Sequence, residues 1–120
     1  MDSNLNIDIK DYNGPLDVLL ELVHKNKFDL KNLPILSLCN QYIAFIVDLK
    51  KVSIEIASEY LLMAAIMVFL KSKYLVNKDK EEDVKKVTRF LTNRLTILEL
   101  VNKNSIKSVS YTHLTLPTSR

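Results

Sequence analysis

The chain has 120 residues, 48% of them hydrophobic, with a single glycine, Gly14, a single cysteine, Cys39, and a formal net charge of +3. That length supports one small core and excludes two of ordinary size, while the apolar content excludes disorder. One glycine excludes a turn-rich fold and a glycine-rich phosphate cradle, and one cysteine excludes an internal disulfide.

Charge is divided along the chain. Residues 1–70 hold six Lys/Arg against nine Asp/Glu, and residues 71–107 hold ten against five. The second segment is basic enough to touch phosphate, but its surplus is too small to argue strongly for it. The charge-free apolar run at residues 60–70 is about half of what a bilayer span needs. No basic, apolar and small-residue series opens the chain, so the cytoplasm is the expected compartment.

Leu5, Ile7 and Ile9 alternate with polar residues and predict a short extended segment. Gly14-Pro15 predicts a helix start, because proline at the first helical position loses no needed donor and Asp17 then faces the positive end of the dipole. Leu16, Leu19, Leu20 and Val23 are its apolar stripe. After the polar stretch 25–27, Phe28 and Leu30 are expected as extended apolar anchors. Pro34 opens a second helix ending near Lys50, with Ile35, Leu38, Cys39, Tyr42, Ile46 and Leu49 inward.

Ser53 is the expected N-cap of a third helix reaching about Val76, with Glu55 in its first turn and Lys71 and Lys73 near its end. Residues 60–70 of that helix are hydrophobic around the whole circumference, more than two short helices can cover. Residues 77–83 are a charged linker or first turn. A fourth helix follows, with Val84, Val87, Leu91, Leu95, Leu98 and Val101 on one face. The expected fold is therefore all-α, a small bundle of three to four helices behind a short extended N-terminal segment. The last twelve residues, 109–120, break the helical pattern. They resemble a translated sequencing-library adapter, so a non-native tail is expected there and a natural chain interrupted near Ser108.

Chemistry-bearing constellations are scarce. His24 and His113 have no Cys, His or carboxylate at metal-ligand spacing, and Cys39 sits on an apolar stripe where buried cysteine is common. Asp17 and Glu21, one helical turn apart, have no third partner for acid-base work and suit a solvated face. No enzyme activity, metal or cofactor is expected.

Three stretches resemble the segregation and condensation protein A family, the kleisin subunits of bacterial SMC condensin complexes. Tyr12-Asn13-Gly14-Pro15-Leu16-Asp17-Val18-Leu19-Leu20 is similar to the family's F-x-G-P-L-D-L-L-L opening. Phe28-Asp29-Leu30, Leu33-Pro34-Ile35 and Gln41-Tyr42-Ile43 resemble its I-D-I, I-P-I and Q-Y-L elements in the same order. Ala57-Ser58-Glu59-Tyr60-Leu61-Leu62-Met63-Ala64-Ala65 with Lys71-Ser72-Lys73 resembles A-S-E-F-L-V-M-A-A and I-K-S-R. Tyr12 replaces the usual Phe, Asn13 a common acidic residue, and Asn77 a common proline.

The resemblance implies a non-enzymatic subunit for chromosome condensation and segregation, cytoplasmic and nucleoid-associated. Its N-terminal helices (residues 1–76) would dock on the coiled-coil neck beside an SMC head. A middle segment beginning at 84–108 would recruit the segregation and condensation protein B dimer. DNA would be met only through the complex, and no membrane is involved. The family's C-terminal winged helix does not appear, so a chain truncated before it is expected.

Tyr60, Met63, Ala64, Met67 and Lys71 share a face of the third helix and are the expected SMC-neck contacts, the alternative being that this face is internal core. Covering five such side chains contributes on the order of 10 kcal/mol gross, against an association cost of about 4–15 kcal/mol. Met67→Glu is accordingly expected to abolish binding and leave helicity intact. Leu91, Leu95 and Leu98 are the expected contacts to segregation and condensation protein B, with packing on the third helix equally open. A rival function is a small helical nucleic-acid-binding protein using Lys85, Lys86, Arg89 and Arg94, although no helix-turn-helix signature accompanies them.

Overall fold

The computed structural model describes residues 12–53, 55–76 and 82–104. Among these, the chain forms four helices and no strand: α1, Pro15–Asn26; α2, Ile35–Val52; α3, Ser58–Leu75; and α4, Glu82–Asn104, with a 3-10 turn at Leu30–Asn32 between α1 and α2. The extended segment expected around Leu5, Ile7 and Ile9 and the adapter-like tail lie outside the described residues.

Gly14 begins α1 at φ 156°, ψ 178°, a region open only to glycine, and its carbonyl accepts from the Asp17 and Val18 amides at 3.1 and 3.3 Å. The Asp17 carboxylate in turn accepts from the Asn13 amide at 3.2 Å, so the first turn is tied on both sides. At the other end Lys27 adopts the left-handed conformation, φ 58°. Its amide donates to the His24 carbonyl at 3.1 Å and the Phe28 amide to the Val23 carbonyl at 2.9 Å, the two bonds of a Schellman motif. The last residue of α1, Asn26, exchanges amide hydrogen bonds with Gln41 of α2 at 2.9 and 3.2 Å.

Phe28 is a half-buried anchor as expected, whereas Leu30 starts the 3-10 turn because Asp29 caps it: the Asp29 carboxylate accepts from the Lys31 amide at 3.0 Å and its carbonyl from the Asn32 amide at 2.9 Å. Ser53 ends α2 rather than starting α3. Its amide donates to the Leu49 carbonyl at 2.9 Å and its hydroxyl to the Glu55 carbonyl at 2.8 Å, so it caps no amide of the following helix. α3 begins only at Ser58, where the Ala57 carbonyl accepts from the Tyr60 and Leu61 amides at 3.0 and 3.4 Å.

One core joins all four helices. All six residues expected inward on α2 are buried, and Phe45 joins them, with Tyr12 edge-on to its ring at 6.0 Å. On α1 the buried set is wider than one stripe, because Val18 and Leu22 are covered as well as Leu19, Leu20 and Val23. That width follows from α1's place between α2 and α4, with α3 also against it. From α4 the core takes Val84, Leu91 and Leu95. Glu82 and Asp83, from the stretch read as a charged linker or first turn, form α4's first turn, where carboxylates complement the dipole.

Candidate functional surface

α3 packs mainly on α2, and its inner row is Tyr60, Met63, Met67 and Leu70. Met67 and Leu70 are wholly enclosed, and Tyr60 and Met63 nearly so. Tyr60, Met63 and Met67, expected at the SMC neck, therefore line the chain's own core. Ala64 and Lys71 flank this row and are half-buried, Lys71 close enough to α2 for its charge to act on the Cys39 thiol. Periodicity alone does not select this face, because a helix apolar on every side does not indicate which side turns inward. The side that turns inward is the one against α2, whose Tyr42 hydroxyl donates to the Tyr60 carbonyl at 3.0 Å.

The opposite side of α3 is left uncovered. Leu61, Leu62, Val68 and Phe69 stand exposed there, Leu62 to 65% and Val68 to 53%, with Leu75 and Val76 beyond. An ordinary surface helix turns polar side chains to water, so this row is a surplus of the kind that marks an interface.

The face of α4 named for the second partner is likewise internal: Leu91 and Leu95 are buried and Leu98 is packed against the core. α4 lies chiefly on α1, not on α3. Its outward apolar residues are Phe90, Ile97 and Leu100, a row that a search for one apolar stripe passes over. Lys85, Lys86, Arg89 and Arg94 are exposed on α4, the Arg94 guanidinium lying over the Phe90 ring at 5.7 Å.

The chemical groups are arranged for structure. His24, exposed, contacts the Glu99 carboxylate through Nε2, with the Lys103 ammonium 3.7 Å from the other oxygen. The His24 hydrogen bond, helped by Lys103, holds the Glu99 carboxyl below the usual range. Cys39 is buried, which pushes its thiol up to about 11, against a weaker opposing effect of Lys71. Among the described residues no three His, Cys, Asp or Glu side chains gather as a metal site, and no helix is long and apolar enough to cross a membrane.

Fold and surface together define a small helical module that spends one side of α3 on its own core and leaves the other side apolar and open. A family model described as Segregation and condensation protein ScpA matches residues 22–107, and the chain belongs to that family. Segregation and condensation protein A of Clostridium acetobutylicum is 45% identical over 82 residues, covering 68% of this chain and 33% of the relative. The protein of the same name from Clostridium botulinum is 38% identical over 100 residues, covering 81% and 40%. That of Bacillus cytotoxicus is 42% identical over 79 residues, covering 66% and 32%. The chain thus spans about a third of the length of the curated relatives it matches.

Proposed function

We propose that this chain is the N-terminal docking module of a kleisin, a non-enzymatic subunit in chromosome segregation and condensation that acts in the cytoplasm on the nucleoid. Its partner is the coiled-coil neck next to an SMC head, and DNA is reached only through that complex. The observation that carries the reading is the two-sidedness of α3: Tyr60, Met63 and Met67 close the core while Leu61, Leu62, Val68 and Phe69 remain uncovered. A coiled coil offers what this row lacks, a second apolar helix to lie along it. The docking residues are then the outward row, with Ala64 and Lys71 at its margin and Tyr60, Met63 and Met67 supporting from beneath.

Segregation and condensation protein B is the second partner. It is met on the outer side of α4, where Ile97 and Leu100 are exposed, while Leu91, Leu95 and Leu98 hold that helix on the bundle.

The test is co-purification with an SMC head-and-neck fragment. Leu62→Glu is expected to abolish it without moving the thermal midpoint, because Leu62 is exposed. A folded Leu62→Glu chain that still binds at full strength overturns the reading.

A further inference from the structure

Between α3 and α4 runs an open groove of about 400 Å³, walled by Ala65, Ile66 and Phe69 on one side and by Lys86, Val87 and Phe90 on the other. The lining is almost wholly apolar, yet it faces water, with Phe90 59% exposed. Apolar walls explain why something should fill the groove, and the surrounding charge indicates what.

Residues 60–75 contain no carboxylate, and neither do residues 84–98. The same two stretches carry Lys71 and Lys73 on α3 and Lys85, Lys86, Arg89 and Arg94 on α4. Lys73 lies over the Phe69 ring at 5.6 Å and Arg94 over the Phe90 ring, so cations flank both aromatic walls. Among the described residues none of the four α4 cations has a carboxylate partner within the chain. The groove is therefore an apolar trough with mostly cationic surroundings, Lys86 in its lining and Lys73 and Arg94 over its aromatic walls, against the exposed Asp83 one turn before Lys86.

We infer that this groove seats a single amphipathic helix of a partner protein, its apolar stripe flanked by Asp and Glu, so that α4 forms the second wall of the docking site on α3. The inference rests on the reading that the outer side of α3 docks a partner helix. It adds a second wall and the partner's charge. Ala65 keeps the floor shallow enough for a helix backbone to approach, while Phe69 and Phe90 stand as anchors on either side. Acidic flanks meet the rim cations, which raises the rate of encounter and selects the partner more than it deepens the affinity. Duplex DNA would satisfy the cations and leave Ile66, Phe69 and Phe90 in water, so a protein helix fits the whole surface better.

Two fluorescent helical peptides of about 21 residues, six turns, test this with the full 120-residue chain. Both carry the same Leu stripe; one has Glu flanks and the other Lys flanks. The Glu peptide is expected to bind about tenfold or more tightly at low salt, with the preference fading as salt screens it. Lys86→Glu should remove the preference and Phe90→Ala should weaken binding, both with an unchanged thermal midpoint, since both side chains are exposed. Equal affinity for the two peptides, indifference to both substitutions, or tighter binding of a DNA duplex than of the Glu peptide would each overturn the inference. An SMC head-and-neck fragment separates the two claims. Binding that is lost in Leu62→Glu but untouched by Lys86→Glu and Phe90→Ala sinks the groove alone, whereas no binding by the unmodified chain sinks the docking function beneath it.

Discussion

The Tyr42 hydroxyl of α2 donates to the Tyr60 carbonyl of α3 at 3.0 Å, deep in the core, and this bond joins the two helices on the side of α3 that is hidden. Tyr42→Phe leaves the carbonyl within its own helix and removes one buried hydrogen bond, a loss of about 1 kcal/mol by thermal or urea unfolding. Burial pushes the Tyr42 phenol well above its ordinary 10.0, with Tyr60 adding to the rise, and raises Tyr60 as well, with Glu59 and Asp17 as lesser causes. The Cys39 thiol is pushed in the same direction, to about 11 from 9.0. Below these ordinary values neither the folded nor the unfolded chain is ionised at these groups. Above them the unfolded chain releases protons that the fold retains, so stability falls as pH rises. The thermal midpoint is expected to decline from about pH 9, through Cys39 first, and more steeply above about pH 10. Tyrosinate absorbance from two of the five tyrosines should appear only as helicity is lost. Full tyrosinate absorbance in a chain that is still helical would contradict the burial of both phenols.

Lys27 and Gly14 both have positive φ, in different regions, and make opposite predictions. Lys27 completes the Schellman motif at φ 58°, where a Cβ is strained by about 1–2 kcal/mol, and glycine's larger unfolded-state entropy returns part of that. Lys27→Gly is expected to stabilise by about 0.5–1 kcal/mol, a rise of a few degrees in thermal midpoint. At Gly14 a new Cβ has room, the nearest atom being a Glu59 carboxylate oxygen at 4.0 Å, so the cost of Gly14→Ala is torsional. A loss of about 1–3 kcal/mol is expected.

The helices were legible because their signals are local. Pro15 after Gly14 starts α1, the three- and four-residue spacing from Ile35 to Leu49 describes the inward side of α2, and the same spacing finds Val84, Leu91 and Leu95 on α4. What was not legible depends on neighbours. Ser53 has the chemistry of a cap, but its hydroxyl is taken by the Glu55 carbonyl. Val18 and Leu22 are buried because α1 is covered on more than one side, which no single-helix pattern shows. On α3, inner and outer rows are equally apolar, so the sequence could show that an apolar surplus exists and not which residues form it. The groove is further still from the sequence, since Phe69 and Phe90 lie on different helices and come together only in the tertiary fold.

The contact of His24 with Glu99 joins α1 to the far end of α4 and makes that attachment acid-sensitive. The Glu99 carboxyl is held below the usual range, mainly by the His24 hydrogen bond. Its stabilising contribution is therefore present above about pH 4.3, the ordinary glutamate value, and is lost as pH falls through the depressed folded value. Because the pair is partly solvated, its contribution is a few tenths of a kcal/mol up to about 1 kcal/mol. Glu99→Gln should reduce stability at neutral pH by that amount and flatten the acid side of the stability profile. Hydrogen exchange should quicken at the C-terminal end of α4 before the core responds. An unchanged acid limb in Glu99→Gln would show that the contact does not hold α4 to α1.

Met67 and Val68 are neighbours in sequence and opposites in the fold, and they separate stability from docking. Met67 is fully enclosed, so Met67→Ala leaves a cavity and is expected to cost about 2–5 kcal/mol. For a domain whose whole stability is about 5–15 kcal/mol, Met67→Glu places a charge where there is neither water nor partner, and helicity is expected to collapse. This reverses the expectation that Met67→Glu leaves the helices intact. Val68 is exposed to 53%, and Val68→Asp removes apolar surface that water already reaches, so its thermal midpoint should move by no more than about half a kcal/mol in equivalent stability. If the outer row docks the SMC neck, the charge at 68 abolishes that binding in a chain that remains folded, whereas Met67→Ala binds at reduced temperature in proportion to the folded fraction. Melting by circular dichroism and pull-down on the same two samples decide it. A stable Met67→Glu chain, or an unfolded Val68→Asp chain, would mean that α3 is rotated from the position in which Tyr42 holds it.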